Sequence, residues 1–384
     1  MDKDNCGYIR RNNRIWIHAL LMLFFSLDFV YAYSIGIVQE GKILVKGVVV
    51  DTNNVPLIGV SVIEKGTNNG TMTNMEGAFT ITVQQAESVL SFSYLGYVGQ
   101  EIKIGNKVIS NSSHTYIVAE MSGNHNMDFG RAKAIIRAAA DAGADAIKIQ
   151  TYTPDTITID SDKPAFRTKG IWEGRTLYEL YGKAYTPWEW QKELKEYAID
   201  CGINFFSSPF DLTAIDFLEN LNVPVYKVAS FEINDIPFIR KIARTGKPII
   251  MSTGIAYLED IDLAVRTCLE EGNNKVILLK CVSSYPAPYE NMNLSVIPNM
   301  KQTFDCICGL SDHSMGSEIA VAAVALGAKV IEKHFTLCRA DGGEDSQFSM
   351  EPEEFSEMVR QIRNVEKALG HPTYELNKEQ VESR

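Results

Sequence analysis

Residues 116–155 read YIVAEMSGNHNMDFGRAKAIIRAAADAGADAIKIQTYTPD. The apolar run 116–119 is short and bounded by polar residues, as a buried strand is. A helix-period stretch follows over 130–142, and Ala142-Gly143-Ala144 marks its stop. A second apolar run, 146–149, comes next. Strand, helix, glycine stop and strand make one βαβ unit with parallel strands.

The same alternation continues toward the C-terminus. Further strands are predicted at 204–207, 225–229, 249–252, 276–281, 306–310 and 330–334. Helices are predicted between strands, for example over 187–201, 236–245 and 318–326, with glycine stops at Cys201-Gly202 and Leu326-Gly327. Eight strands with intervening helices in about 255 residues fit a (β/α)8 TIM barrel over 114–370. A doubly wound open sheet fits less well, because no Gly-rich dinucleotide turn is present.

Upstream the pattern differs. Arg10, Arg11 and Arg14 precede an apolar run that reaches Val30, Tyr31 and Ala32, so residues 1–32 read as a signal peptide or leader. His18 and Asp28 make the run a poor membrane span. Residues 43–108 then show short strands at 43–50, 56–63, 77–83 and 88–94, separated by Asn- and Gly-rich turns. This spacing predicts a small all-β sandwich before the barrel. The stretches VKGVVVDTNNVPLIGVSVIEKGTNNGTMTNMEGAFTITV and LSFSYLGYVGQEIKI resemble the carboxypeptidase-regulatory-like domain that opens TonB-dependent outer-membrane receptors. That resemblance implies exposure to the periplasm or the outer membrane.

Composition narrows the function. The chain of 384 residues carries a net charge of -11, which argues against a general nucleic-acid binder. A local basic pocket for a small anion is still compatible with it. Of the seven cysteines, Cys201, Cys268, Cys281, Cys306, Cys308 and Cys338 fall in the C-terminal part without a CxxC pair, and read as reduced thiols.

A barrel of this kind works at the C-terminal ends of its strands, and there the polar residues collect. Glu120 follows the first strand; Lys148 and Gln150 share one face of the second, because strand side chains alternate. Ser208 ends the third strand, Lys227, Ser230 and Glu232 the fourth, and Ser252 the fifth. Ser283 and Tyr285 end the sixth, Ser311 and His313 the seventh, and Glu332 and His334 the eighth. Two lysines and five serine-bearing strand ends suit an anion such as a phosphate with a carboxylate. His313 and His334, on consecutive strands beside Glu332 and Asp345, are candidate ligands for one divalent cation. His125, also near the rim, reads as a structural histidine.

These residues lie in motifs that carry a second resemblance. IVAEMSGNHN, AGADAIKIQTYTPD, FFSSPFD, YKVASFEIND, PIIMSTGI, LLKCVSSYPAP, GLSDHSMG, ALGAKVIEKHF and GEDSQFSM resemble the sialic acid synthase family. LYELYGKAYTPWEW, with QTYTPD, is similar to its pseudaminic acid branch more than to its N-acetylneuraminate branch. The resemblance implies condensation of phosphoenolpyruvate with an open-chain N-acetylated amino sugar and release of phosphate. It implies that Lys148, Ser208, Lys227, Ser230, Ser252, Ser283 and Ser311 hold phosphoenolpyruvate, Ser283 standing where the neuraminate branch often has Asn. Glu120, Gln150, Tyr285, Glu332 and Asp345 would contact the sugar. Glu232, with Glu120 and Glu332, is a candidate catalytic carboxylate. His313 and His334 would bind Mn2+ or Mg2+.

The family resemblance also implies a homodimer in which a small antifreeze-like domain caps the partner's site. Residues 371–384 would begin the linker to that domain, and the dimer would be weakened without it. Phosphoenolpyruvate is a cytosolic metabolite, so the barrel's implied location, the cytoplasm, conflicts with that implied by residues 1–108. Three rivals follow: an N-acetylneuraminate synthase acting on N-acetylmannosamine, a non-catalytic envelope-associated binding protein, and a Schiff-base aldolase using Lys148 or Lys227.

Overall fold

A computed structural model describes residues 31–39, 42–50, 55–64, 67, 69–85, 88, 90–93, 100–370 and 373–384. The expected leader up to Val30 lies outside the described residues. The chain divides into two compact units, with the division between Gly99 and Gln100.

The first unit holds two three-stranded antiparallel sheets. One contains β1 (Tyr31–Gln39), β2 (Lys42–Val50) and β5 (Ala78–Val83) in the order β1-β2-β5. The other contains β3 (Ser61–Glu64), β4 (Gly70–Met72) and β6 (Leu90–Ser93) in the order β4-β3-β6. Alternation sets the core: Phe79, Ile81 and Val83 on β5 are buried and join Val45, Val49, Val60 and Val62 in one apolar cluster. Glu64 is buried, and its carboxylate accepts from Asn69 Nδ2 at 2.8 Å and Ser88 Oγ at 2.5 Å, so it is not left unsatisfied.

In the second unit eight parallel strands close into a barrel. They are β9 (Tyr116–Glu120), β10 (Ala146–Thr151), β11 (Asn204–Pro209), β12 (Tyr226–Val228), β13 (Ile249–Ser252), β14 (Val276–Cys281), β15 (Ile307–Asp312) and β16 (Val330–His334). The last strand returns to the first, with Val330 opposite Tyr116 and His334 opposite Glu120. The strands expected from the sequence are these eight, each within two residues at either end.

The main outer helices are α1 (Phe129–Asp141), α2 (Trp188–Asp200), α3 (Leu212–Leu221), α4 (Ile236–Arg244), α5 (Leu258–Glu270), α6 (Val296–Phe304), α7 (Glu318–Ala325) and α8 (Pro352–Leu369). α1 shows why they form. Asp128 caps it by accepting from Arg131 N, and Ala132, Ile135, Ile136 and Ala139 make the buried stripe. Gly143 follows at φ +91°, a conformation open to glycine at little cost. On β15, Gly309 is required by close approach, since a Cβ there would run into the Val330 carbonyl oxygen.

One boundary differs from the sequence reading, which ended the sandwich at residue 108. The hairpin of β7 (Ile102–Ile104) and β8 (Lys107–Ile109) belongs to the barrel unit. Ile102, Ile104 and Ile109 are buried in one cluster with Tyr116, Val118, Phe206, Ile250, Ile277 and Val330, the lower layers of the barrel interior. Ile307 N donates to Gln100 Oε1 at 3.1 Å, and Gln100 Nε2 donates to Asn274 O at 2.6 Å. The hairpin is the barrel's floor.

A test follows from this floor. Ile104→Ala should lower the stability of the barrel by about 2–5 kcal/mol, the cost of emptying a fully buried aliphatic position. Urea unfolding followed by tryptophan fluorescence reads it. A change below about 0.5 kcal/mol, the range of surface substitutions, would remove the hairpin from the barrel core.

Candidate active site

The inward face of each strand is apolar at the floor and polar at the mouth. Ala146 gives way to Lys148 and Gln150, Phe206 to Ser208, Val225 to Lys227, and Ile250 to Ser252. Leu279 gives way to Cys281, Ile307 to Ser311, and Val330 to Glu332 and His334. Strand alternation thus carries each of these side chains to one rim.

At the centre sit two lysines and two carboxylates, all buried. Lys148 Nζ lies 2.5 Å from Glu120 Oε2 and 3.6 Å from Glu332 Oε1, and Lys227 Nζ lies 3.6 Å from the same Glu332 oxygen. Lys148 donates to Ser208 Oγ at 3.3 Å, and Ser311 Oγ donates to Glu332 Oε1 at 3.3 Å. Burial raises the Glu120 carboxyl, Lys148 opposing. Burial acts the same way on Glu332, but Lys148 and Lys227 outweigh it and hold that carboxyl low. Burial pushes Lys227 down, with Glu332 opposing, whereas Lys148 is held up against burial by Glu120 and Glu332. The quartet is neutral overall, and Glu332 Oε2 has no hydrogen-bond partner.

Beside the quartet is a cradle of hydroxyls. Gly254 N donates to Ser230 Oγ at 3.1 Å. A Cβ on Gly254 would overlap Ser283 Oγ and stand 2.7 Å from Ser230 Oγ and 3.1 Å from Cys281 Sγ. The hydroxyls of Ser252 and Ser283 are buried without partners. Unsatisfied buried donors next to a lysine are what an incoming anion satisfies.

The two histidines adjoin this cradle, His313 Nδ1 lying 3.8 Å from Cys281 Sγ, and their ring centroids are 5.3 Å apart. His313 Nδ1 lies 2.9 Å from the Val282 carbonyl oxygen, which fixes the proton on that nitrogen and turns Nε2 away from it. His334 Nδ1 is buried with no hydrogen bond, 3.8 Å from Asp345 Oδ2. Burial and the His313 charge hold His334 well below the usual imidazole range, so it is neutral. Burial lifts Asp345 to about 6, against a short hydrogen bond from Ser122. Gln150 Nε2 ties Glu120 to Ser122 with bonds of 3.1 and 3.0 Å. His334 is neutral and unpartnered, whereas Cys281 and the Val282 carbonyl raise His313 against burial, so a divalent ion would fit the pair by displacing the second His313 proton. Among the described residues no group of three or more His, Cys, Asp or Glu side chains has metal-holding geometry, so the fit rests on the two histidines.

Glu232 lies off the quartet. Its Oε2 is buried without a partner, and burial, opposed by Lys227, lifts its carboxyl to about 7. Tyr285 packs 4.4 Å from His313 by ring centroids, and Phe348 4.8 Å from His334. Trp172 packs on both Tyr285 and Phe348, and its Nε1 donates to Glu344 O at 2.6 Å. Arg175 grips the Glu344 carboxylate at 2.6 and 2.7 Å. His125 is remote from this group. Its Nδ1 accepts from Met127 N at 3.1 Å, and burial holds it neutral at about 4.

Each of the sequence-derived rim residues therefore reaches the mouth. Several others there were not singled out: Ser122, Trp172, Gly254, Cys281 and Phe348. Gly254 and Cys281 stand within quoted motifs, STGI and KCVSS, where a glycine and a cysteine give no chemical signal alone. Ser122 adopts φ 45°, a strained backbone for a residue other than glycine, which no local sequence feature announces.

The fold and this rim define a β/α barrel whose mouth pairs a cradle of hydroxyls with two neighbouring histidines. The chain belongs to the NeuB family, whose model matches residues 135–374. It is 47% identical over 284 residues, 74% of this chain and 82% of the relative, to the pseudaminic acid synthase of Campylobacter jejuni strain 81-176. It is 39% identical to the N,N'-diacetyllegionaminic acid synthase of Campylobacter jejuni strain NCTC 11168, over 67% of this chain and 78% of that protein. Among solved structures, an N-acetylneuraminic acid synthetase from Leptospira borgpetersenii superposes with a TM-score of 0.68 at 34% identity, covering 75% of this chain and 96% of that one. The CarboxypepD_reg-like domain matches residues 45–127. No helix among the described residues is long and apolar enough to cross a membrane.

The raised Glu232 carboxyl generates a pH prediction. The fold favours its protonated form, so its contribution to stability is complete below about 4.5 and is lost as pH rises toward about 7. Glu232→Gln should remove this loss, gaining on the parent by up to about 3 kcal/mol between pH 4.5 and pH 7.5. Urea unfolding of both proteins across that range checks it. Parallel pH profiles would return the carboxyl to ordinary behaviour.

Proposed function

We propose that this chain condenses phosphoenolpyruvate with an open-chain N-acetylated amino sugar, releasing phosphate and forming a nonulosonic acid, with pseudaminic acid as the product. The observation that carries it is the pair of buried lysines, Lys148 and Lys227, that share Glu332 at one barrel mouth, together with the buried, unpartnered hydroxyls of Ser252 and Ser283 at the ends of neighbouring strands. That arrangement suits a small, multiply charged anion with a phosphate and a carboxylate. The higher identity to the pseudaminic acid synthase than to the legionaminic acid synthase supports the choice of branch.

In this reading Lys148, Lys227, Ser208 and Ser311 take one end of phosphoenolpyruvate, and Ser230, Ser252 and Ser283 the other. Glu120, Gln150, Tyr285, Glu332 and Asp345 line the acceptor's place. The alkene carbon of the donor attacks the aldehyde carbon and makes the new C–C bond. The aldehyde oxygen takes up a proton, and water adds to the enol-ether carbon, where positive charge has developed. The adduct then expels phosphate. Glu232, titrating near 7, can accept the proton of that water at neutral pH. His313 and His334 would hold Mn2+ or Mg2+, which when bound supplies Lewis-acid polarisation of the aldehyde. The first unit, by its family match, is read as an envelope-type module joined to this enzyme.

Phosphate release should be fast with 2,4-diacetamido-2,4,6-trideoxy-altrose and slow with N-acetylmannosamine. The reverse order would overturn the branch, and no release with either would overturn the activity. Lys227→Met should weaken phosphoenolpyruvate binding about 10- to 100-fold, the loss of one charge-assisted hydrogen bond of roughly 1.5–3 kcal/mol. Calorimetry reads it, and unchanged affinity would assign that lysine to structure alone. His313→Ala and His334→Ala should each lose Mn2+ affinity in the same instrument. Parental Mn2+ binding in both would remove the metal assignment.

A further inference from the structure

The two histidines are aligned from behind. Asp312 on β15 and Lys333 on β16 stand opposite each other in register, each one residue before a histidine of the pair. Alternation sends them to the outer face of the barrel wall while Ser311, Glu332 and the histidines face inward. Lys333 Nζ lies 2.7 Å from Asp312 Oδ2 and donates to Ser314 O at 2.6 Å. The other Asp312 oxygen accepts from Ser314 N at 2.8 Å and Ser314 Oγ at 2.6 Å. Asp312 and Lys333 are each 1% exposed. One ion pair thus fixes the residue before each histidine and the residue after His313. The His313 backbone carbonyl is held as well, accepting from Ala287 N at 2.9 Å.

A buried ion pair is a poor device for stability, because well-packed apolar replacements are often neutral or better. What it does supply is register and direction, and here it does so at the two strand ends that carry the imidazoles. We propose that Asp312 and Lys333 are positioning residues, which hold His313 and His334 in the mutual arrangement from which they take a divalent cation. The inference rests on the reading of the two histidines as metal ligands. It makes Ser314 part of the same device.

The test separates alignment from folding. In Asp312→Leu/Lys333→Met both charges are replaced together, so no charge is left uncompensated; Ser314 loses the partners of its N–H, hydroxyl and carbonyl, so the unfolding temperature should fall while the variant stays cooperatively folded. Mn2+ affinity, read by calorimetry, should nevertheless fall about 10- to 100-fold, as when an outer partner of a metal ligand is lost. Phosphoenolpyruvate affinity should fall by a clearly smaller factor than Mn2+ affinity: Lys148, Lys227, Ser252 and Ser283 stand off β15 and β16, and only Ser311 and Glu332 neighbour the replaced pair. Lys333→Arg, which keeps the pair, should recover most of the Mn2+ affinity. Parental Mn2+ affinity in the double variant overturns the proposal. So does a fall in phosphoenolpyruvate affinity in step with Mn2+, which would mean general loosening. If the double variant does not fold, Ser314→Ala replaces it; weaker Mn2+ binding supports the device and unchanged binding overturns it. Failure of the metal reading itself looks different: the parent binds Mn2+ and His313→Ala binds it equally well.

Discussion

Two lysines and two glutamates sit together in the barrel mouth, nearly without water, and the rest of the site is arranged around that constraint. A single charge buried there would cost several kcal/mol. Four charges that sum to zero, within 2.5–3.6 Å of one another, are tolerated. The neutrality is poised: Glu332 is held ionised between the lysines, while Glu120 leans toward its protonated form. The same constraint explains the polar collar, because Ser208, Ser311 and Gln150 satisfy quartet atoms that would otherwise lose their water.

The floor and the mouth are two ends of one pattern. Each inward face begins with an apolar residue in the cluster that includes the β7–β8 hairpin and ends two to four residues later in a charge, a hydroxyl or, on β14, the Cys281 thiol. Apolar packing below gives the wall its rigidity, and rigid strand ends keep the rim groups in place. Closing the floor with a hairpin excludes water from the lower layers. The buried quartet therefore meets its ligands from one side only.

Around the rim, loops complete what strands begin. Arg175 and Trp172 bind the backbone and carboxylate of Glu344, next to Asp345. Trp172, Tyr285 and Phe348 then form an aromatic wall along the two histidines. The LYELYGKAYTPWEW segment, residues 177–190, forms a short helix downstream of Trp172 (Leu177–Ala184) and runs into the first turn of α2. It supplies Thr186, which contacts His125, and Trp188, whose Nε1 donates to Tyr152 O at 3.1 Å. That segment therefore packs on His125 and the Tyr152 backbone, while the strand ends carry the lysines, glutamates and histidines of the mouth.

By itself the sequence determined the barrel, its eight strands and the rim residues. Strand period and glycine stops are local properties, and in a barrel the C-terminal end of every strand leads to the same place. It also showed a change of architecture, but placed it between residues 108 and 114 and so left the β7–β8 hairpin with the sandwich, whereas the barrel unit begins at Gln100. Short alternating strands look alike in either setting, and only burial of Ile102, Ile104 and Ile109 among barrel residues assigns it. Tertiary structure alone decided how the lysines and glutamates pair, since contacts such as Lys148 to Glu332 join strands far apart in the chain. It alone decided that Gly254 must lack a side chain, and that Asp312 and Lys333 brace the histidines from the outer face. Those roles depend on distances between strands, and a one-dimensional pattern carries no distance across the barrel.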